Sequence, residues 1–322
     1  MSAHAWAARL ARSPDHTPTM VLAGAVDPAP LRAAGWSLLG VLSTDPYGDR
    51  LDAAPYVDVA EVVDDPRVDA VAVDGDDPDL AARIPELRGS GLLLLLPAAA
   101  PLDPELVRAA RASRDAADAV VGLLARYEPW TRLVAAALPL AGGPPLQVTV
   151  RGWPRGRQAA AELVDLAAAW CGEVAAVAAA PAPLPAAELP GGAPVAWSLL
   201  TASGATVLVS HASTSSAGAA SATDPPLVRL SFANARLEAG PAGARWSGGP
   251  ELRLPAPVCW APEGVAPGLV ATATALAGAT GGRDVPAQDW PWPADLGDLL
   301  VVARVLEALR ESARSEQLVP VA

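Results

Sequence analysis

Lysine is absent from this chain: all 23 basic residues are arginine. Arginine stays protonated and does not cycle as an acid and a base. Cysteine is nearly absent as well. Two residues, Cys171 and Cys259, exclude a disulfide framework and a Cys-rich zinc site, and both read as small buried side chains. Aromatic residues are few at 4%, and ten of them are Trp against one Phe and three Tyr. Long apolar runs are missing. The longest, Gly91–Ala100, is too short to cross a bilayer. The first residues, MSAHAWAARLARSPD, lack the apolar stretch of a signal peptide and read as a short helix. A cytoplasmic protein is expected. Acids outnumber bases 35 to 23, a net charge of −12, which argues against a nucleic-acid or anionic-membrane surface.

At 322 residues the chain has room for two domains, and 52% hydrophobic residues exclude a disordered one. After a helical extension over 1–18, five apolar runs follow: Thr19–Ala25, Ser37–Ser43, Val68–Val73, Leu92–Leu96 and Val120–Ala125. None alternates, and helical stretches over Ala29–Ala34, Val57–Val63, Ala81–Arg88 and Pro104–Ala116 separate them. Unalternating runs are how a parallel sheet covered on both faces reads, so 19–125 is predicted to be a Rossmann-like doubly wound α/β domain. Asp103 followed by Pro104 starts the last helix as an N-cap with Pro at the first helical position.

The pattern then changes. Leu146–Trp153 alternates, a helix is expected over Gln158–Trp170, and strand-like segments recur over 174–180, 196–202, 205–212, 227–237, 244–246 and 251–254. Helices over 265–277 and 296–314 close the chain. Residues 126–322 are therefore predicted to form an α+β domain with a mostly antiparallel sheet.

Several segments carry a resemblance. VVDDPRVDAVAV (62–73), Leu92–Arg108, VVGLLARYEPW (120–130), Glu162–Val174 with Asp165 and Trp170, Arg236–Gly240, and VLEALRESARSEQLVP (305–320) together resemble the Gfo/Idh/MocA oxidoreductases over nearly the whole chain. The resemblance implies NAD(P) held by a Gly-rich turn after the first strand, a catalytic Lys, and oligomers through the second-domain sheet.

The matching residues depart from that pattern. Of the Gly-rich turn only Gly24 remains; Val26 and Ala29 stand at the other two glycine positions, and Pro28 and Pro30 lack amide donors. Asp45, about twenty residues on, lies where an acid would bind the ribose, although Asp-Pro also starts turns. The loop Asp74–Asp79 carries four carboxylates where a dinucleotide would pass; a solvated loop is expected there rather than a metal site. The family's Glu-Lys-Pro motif matches Pro97-Ala98-Ala99, and no shift of alignment supplies a Lys. A competing alignment, with the Gly-rich turn before Met1 and Asp27 as the ribose acid, would place Thr19–Gly24 at the sheet edge.

On the second-domain helix, the family's Asp and His positions hold Gln158 and Glu162, and its last Asp position holds Asp165. Glu162 and Asp165 share a helix face, as a carboxylate pair or an exposed acidic surface. His211, in LVSHAS, lies on a strand; neighbouring Ser residues leave a Ser–His–Asp arrangement open, but no nucleophile elbow precedes them. Trp153, Trp170, Trp197 and Trp260 read as core, or as the lining of a cleft. Three functions follow. The first is a redox-inactive protein with a degenerate site and no cofactor, binding a small molecule or a partner and forming a homo-oligomer. The second is an oxidoreductase that keeps NAD(P) through Gly24 and Asp45. The third is a non-redox enzyme using Glu162, Asp165 or His211 as acid–base groups.

Overall fold

The computed structural model describes residues 17–24, 26, 28–33, 36–42, 54–74, 77–96, 103–112, 119–153, 157–179, 196–211, 226–248, 294 and 296–321. The predicted N-terminal helix, the strand over 251–254 and the helix over 265–277 lie outside them, as do Asp45, Pro97-Ala98-Ala99, Trp260 and Cys259. The described residues divide into two compact units: those up to 124 with 294 and 296–300, and those over 125–248 with 301–321.

The first unit is a six-stranded parallel sheet. Its strands are β1 (Thr19–Ala23), β2 (Ser37–Leu42), β3 (Ala54–Tyr56), β4 (Ala70–Val73), β5 (Leu93–Leu96) and β6 (Ala119–Val121), in the order β3-β2-β1-β4-β5-β6. Residues 20–23 of β1 and all of β4 and β5 are buried, which is why these runs do not alternate. β1 lies between β2 and β4, not at an edge, and the competing alignment falls with that. The chain reverses its winding between β1 and β4, the topological switch point where open α/β sheets place their ligands.

Helices α1 (Pro28–Ala33), α2 (Val59–Asp64), α3 (Pro78–Ala81), α4 (Ile84–Gly89) and α5 (Pro104–Ala112) connect the strands. Asp58 caps α2 by accepting from the Glu61 amide, and Asp103 accepts from the Glu105 amide at the start of α5. Two details differ from the sequence expectation. The helix expected over 81–88 is two short helices, because Pro85 cannot donate to the preceding turn. The edge strand β3 was not foreseen, since three residues show no periodicity.

The second unit is an eight-stranded sheet. Its strands are β7 (Gln147–Trp153), β8 (Val174–Ala179), β9 (Ala196–Thr201), β10 (Thr206–His211), β11 (Leu227–Ser231), β12 (Arg236–Gly240), β13 (Gly243–Ser247) and β14 (Val319–Pro320). The order is β13-β12-β11-β7-β10-β9-β8-β14, antiparallel except for the parallel pair β7/β10. The expected segment 227–237 is a hairpin: Phe232 N–H donates to the Ala235 carbonyl at 2.8 Å and turns β11 back as β12. One face of the sheet carries Val148, Val150, Val207, Val209, Val228 and Leu230, all buried. Helix α6 (Pro129–Ala137) lies against β12 and β13. Helix α7 (Arg157–Cys171) is buried along Ala160, Ala161, Leu163, Val164 and Ala167. The last helix, α8 (Leu296–Ser315), carries the chain from the first unit to the second. Among the described residues no helix is long and apolar enough to cross a membrane.

Candidate functional site

Gly24 ends β1 at the switch point, in the left-handed region with φ +89°. Its amide donates to the Leu42 carbonyl at 3.0 Å, and the Asp74 amide after β4 donates to the Ala23 carbonyl at 2.8 Å. The first bond ties the end of β1 to β2, and the second ties it to the end of β4. A Cβ on Gly24 would stand 2.7 Å from Asp74 Cβ and 2.9 Å from Leu80 Cδ1. Close approach of Asp74 and Leu80 thus accounts for a glycine here without any ligand.

The residues after Gly24 bear on whether a dinucleotide fits. α1 is only six residues long, and Pro28 and Pro30 remove two amides from its first turn. The Gly24 amide is already bonded within the sheet, and Asp74 brings a carboxylate against the turn. Among the described residues of this turn, the Gly24 amide is therefore already engaged by a strand carbonyl. In the acidic loop, Asp77 accepts from the Asp79 and Leu80 amides at 2.9 and 3.1 Å, so its carboxylate is the N-cap of α3. No group of metal-ligating side chains occurs among the described residues.

In the second unit, the chain enters through a single 3₁₀ turn, Leu124–Tyr127. Its Arg126 reaches Asp165 on α7 with two parallel bonds: Nε to Oδ2 and Nη2 to Oδ1, each 2.5 Å. The Asp165 side chain is 4% exposed and that of Arg126 14%, so this is a buried bidentate pair. Asp165 therefore stands neither on an exposed acidic face nor in a free carboxylate pair with Glu162. Burial of an aspartate requires a cation, and Arg126 supplies it. Sequence reading missed that role; the available signal was a lone Arg inside the otherwise apolar VVGLLARY.

One turn earlier on α7, Gln158 Nε2 donates to Glu162 Oε1 at 3.0 Å. Glu162 is partly buried, and this bond aligns its carboxylate along the helix. Nearby in sequence, Glu128 precedes α6, is half-buried, and burial raises its pKa. His211 ends β10, beside Trp153 of β7 in the strand register. The three tryptophans Trp130, Trp153 and Trp170 pack edge to face, with centroids 6.1 and 6.3 Å apart, and each is at most 5% exposed. Trp153 Nε1 donates to the Ala159 carbonyl at 2.7 Å, which ties β7 to the start of α7. Trp197 is buried as well. These four residues are core. Cys171 is buried too, and desolvation raises its thiol to about 12, which makes it inert.

No protein-family model and no curated protein matches the chain. Solved structures do. An oxidoreductase from Agrobacterium radiobacter, solved with NAD+, L-tartaric acid and magnesium, superposes with TM-score 0.68 at 17% identity, covering 95% of this chain and 99% of that one. The WlbA dehydrogenase of Chromobacterium violaceum, solved with NADH and UDP-GlcNAcA, gives TM-score 0.68 at 17% identity, covering 96% and 97%. Levoglucosan dehydrogenase in complex with NADH gives 0.66 at 14%, covering 95% and 100%. The chain thus has the fold of the Gfo/Idh/MocA-type NAD-binding oxidoreductases, as the sequence resemblance implied.

Proposed function

We propose that this protein is a redox-inactive member of that fold which acts by binding a ligand or a partner. The observation that carries this reading is the turn at the switch point. Its glycine amide is bonded to Leu42, its helix opens with two prolines, and Asp74 brings a carboxylate against it, which would repel a pyrophosphate bound there. The absence of Lys from the whole chain supports it, because the proton donor of the related dehydrogenases has no counterpart here. The test is a titration of the full chain with NADH and with NADPH, read as energy transfer from Trp to the nicotinamide. Absence of transfer up to millimolar nucleotide supports the proposal; saturable transfer at micromolar nucleotide overturns it and restores the NAD(P)-dependent reading.

A second reading, acid–base chemistry without a nucleotide, draws on the bond between Gln158 and Glu162, which holds one carboxylate in a fixed orientation. In this reading Asp165 is paired with Arg126, and Glu162 or His211 acts as the base.

A further inference from the structure

One end of the eight-stranded sheet is uncharged over most of its width. Here β7 and β10 begin and β9 and β11 end. The Leu146 amide donates to the Ser231 carbonyl at 2.8 Å, and the Thr206 amide donates to the Leu146 carbonyl at 3.1 Å. Three loops therefore lie side by side: 142–146 before β7, 202–205 between β9 and β10, and 232–235 between β11 and β12. They read GGPPL, ASGA and FANA, without an ionisable side chain. In sequence, no residue between Arg132 and Arg151 carries a charge. Apolar side chains are exposed in this stretch: Leu140 is 55% exposed and Leu146 62%. Two charged residues flank the end. Arg236 opens β12 on one side, and Glu173 precedes β8 on the other, where its carbonyl accepts from the Ala202 amide at 2.8 Å. Both are exposed, and among the described residues neither side chain forms an ion pair.

Exposed leucines with no charge among them have the composition of an interface core, with charges left to the rim. The net charge of −12 bears on the partner: two copies of this chain repel each other through an ordinary acidic surface. The uncharged end lets them approach without like charges in the contact. The flanking residues then fix the orientation. The strand order β12-β11-β7-β10-β9-β8 sets Arg236 and Glu173 five strand spacings apart, about 24 Å, and equally far from the line between β7 and β10. With two copies end to end and a two-fold axis normal to the sheet on that line, Arg236 of each copy comes opposite Glu173 of the other. An axis in the plane of the sheet and across the strands opposes Arg to Arg and Glu to Glu instead, which like-charge repulsion disfavours. We propose that this end is a two-fold contact between copies of the chain, with Leu140 and Leu146 in its apolar part and reciprocal Arg236–Glu173 pairs at its rim. It uses the end of the sheet and not its outward face, so it adds to any oligomer through that face. It does not involve nucleotide, so it and the reading above fail separately.

Sedimentation velocity of the full chain over a range of concentrations tests this. The double variant Leu140→Asp, Leu146→Asp puts charge into the apolar part, and thermal unfolding verifies that it is folded. The expected result is that the largest species of the parent chain halves in mass, or that its dissociation constant rises by about tenfold or more. Charge exchange is the sharper test. Glu173→Arg and Arg236→Glu should each weaken association. An equimolar mixture of these two single variants should recover it, because both rim pairs are then rebuilt between unlike copies. Within one chain the two residues are too far apart to pair, so recovery reports a contact between copies. A parent chain that stays monomeric overturns the proposal, and co-sedimentation with phosphatidylcholine vesicles then shows whether the end meets lipid instead. An assembly left intact by Leu140→Asp, Leu146→Asp overturns it too, since the copies would then meet elsewhere. So does a mixture that associates no better than either single variant alone.

Discussion

Arg126 and Asp165 meet side by side, guanidinium fork to carboxylate, although 39 residues separate them in sequence. The pair pins the entry turn of the second unit to the middle of α7. Because it is buried, its two members depend on each other. Asp165→Asn or Arg126→Met should each destabilise the protein by about 3–5 kcal/mol, since each leaves one charge or donor set buried alone. The double variant Arg126→Met, Asp165→Leu should lose clearly less than either single one. Urea unfolding of the three variants measures this. Additive losses would show that the two residues act independently.

Gly24 makes a second prediction. Gly24→Ala places a methyl group 2.7 Å from Asp74 Cβ at a positive φ. The expected cost is about 2–4 kcal/mol, from backbone strain and overpacking together. Chemical denaturation reads it. A cost under half a kcal/mol would mean that the turn opens easily and that the glycine was kept for another reason.

These two sites show what could be read without coordinates. The parallel sheet was legible because β1, β4 and β5 are buried on both faces, and that leaves unbroken apolar runs such as AVAV and LLLLL. That Val26 and Ala29 rather than glycines follow Gly24 was legible as well, because a turn is a local pattern. The ion pair was not, because its partners come from an irregular turn and a helix with no spacing rule between them. Nor was the role of Asp77: a carboxylate in an acidic loop reads as solvated until its position just before Pro78 is recognised as a cap. The strand β14, only two residues long, has no sequence signature at all.

That strand is held by Ser312, whose side chain is fully buried. Its hydroxyl donates to the Gln317 carbonyl at 2.5 Å and accepts from the Ala179 amide at 3.0 Å. The end of α8, the turn through Glu316 at φ 57° and the edge of β8 are thereby joined. Ser312→Ala leaves a buried amide and a carbonyl without partners. The loss should be about 1–3 kcal/mol. Faster amide exchange confined to Val319 and Val321 would accompany it, and exchange unchanged there would refute this role.

The alkaline limb of stability should depend on Tyr56. Its hydroxyl donates to Asp65 Oδ2 at 2.8 Å, and desolvation, with that bond, raises its pKa from 10.0 to about 12. The Arg67 fork on the same carboxylate holds Asp65 well below the usual range. The signs are opposite for the two groups. Between pH 10 and about 12 the folded state keeps the Tyr56 proton that the unfolded state has lost, so stability falls as pH rises through that window. For Asp65 the contribution is complete above the ordinary carboxylate pKa and is lost as pH falls through its depressed folded value. Tyr56→Phe should therefore flatten the alkaline decline and, because the Tyr56 hydroxyl also helps to lower Asp65, weaken the acid one to a smaller extent, and tyrosinate absorbance of the native protein should lose one late-titrating component. If the variant shows an unchanged alkaline limb, some group other than Tyr56 controls it.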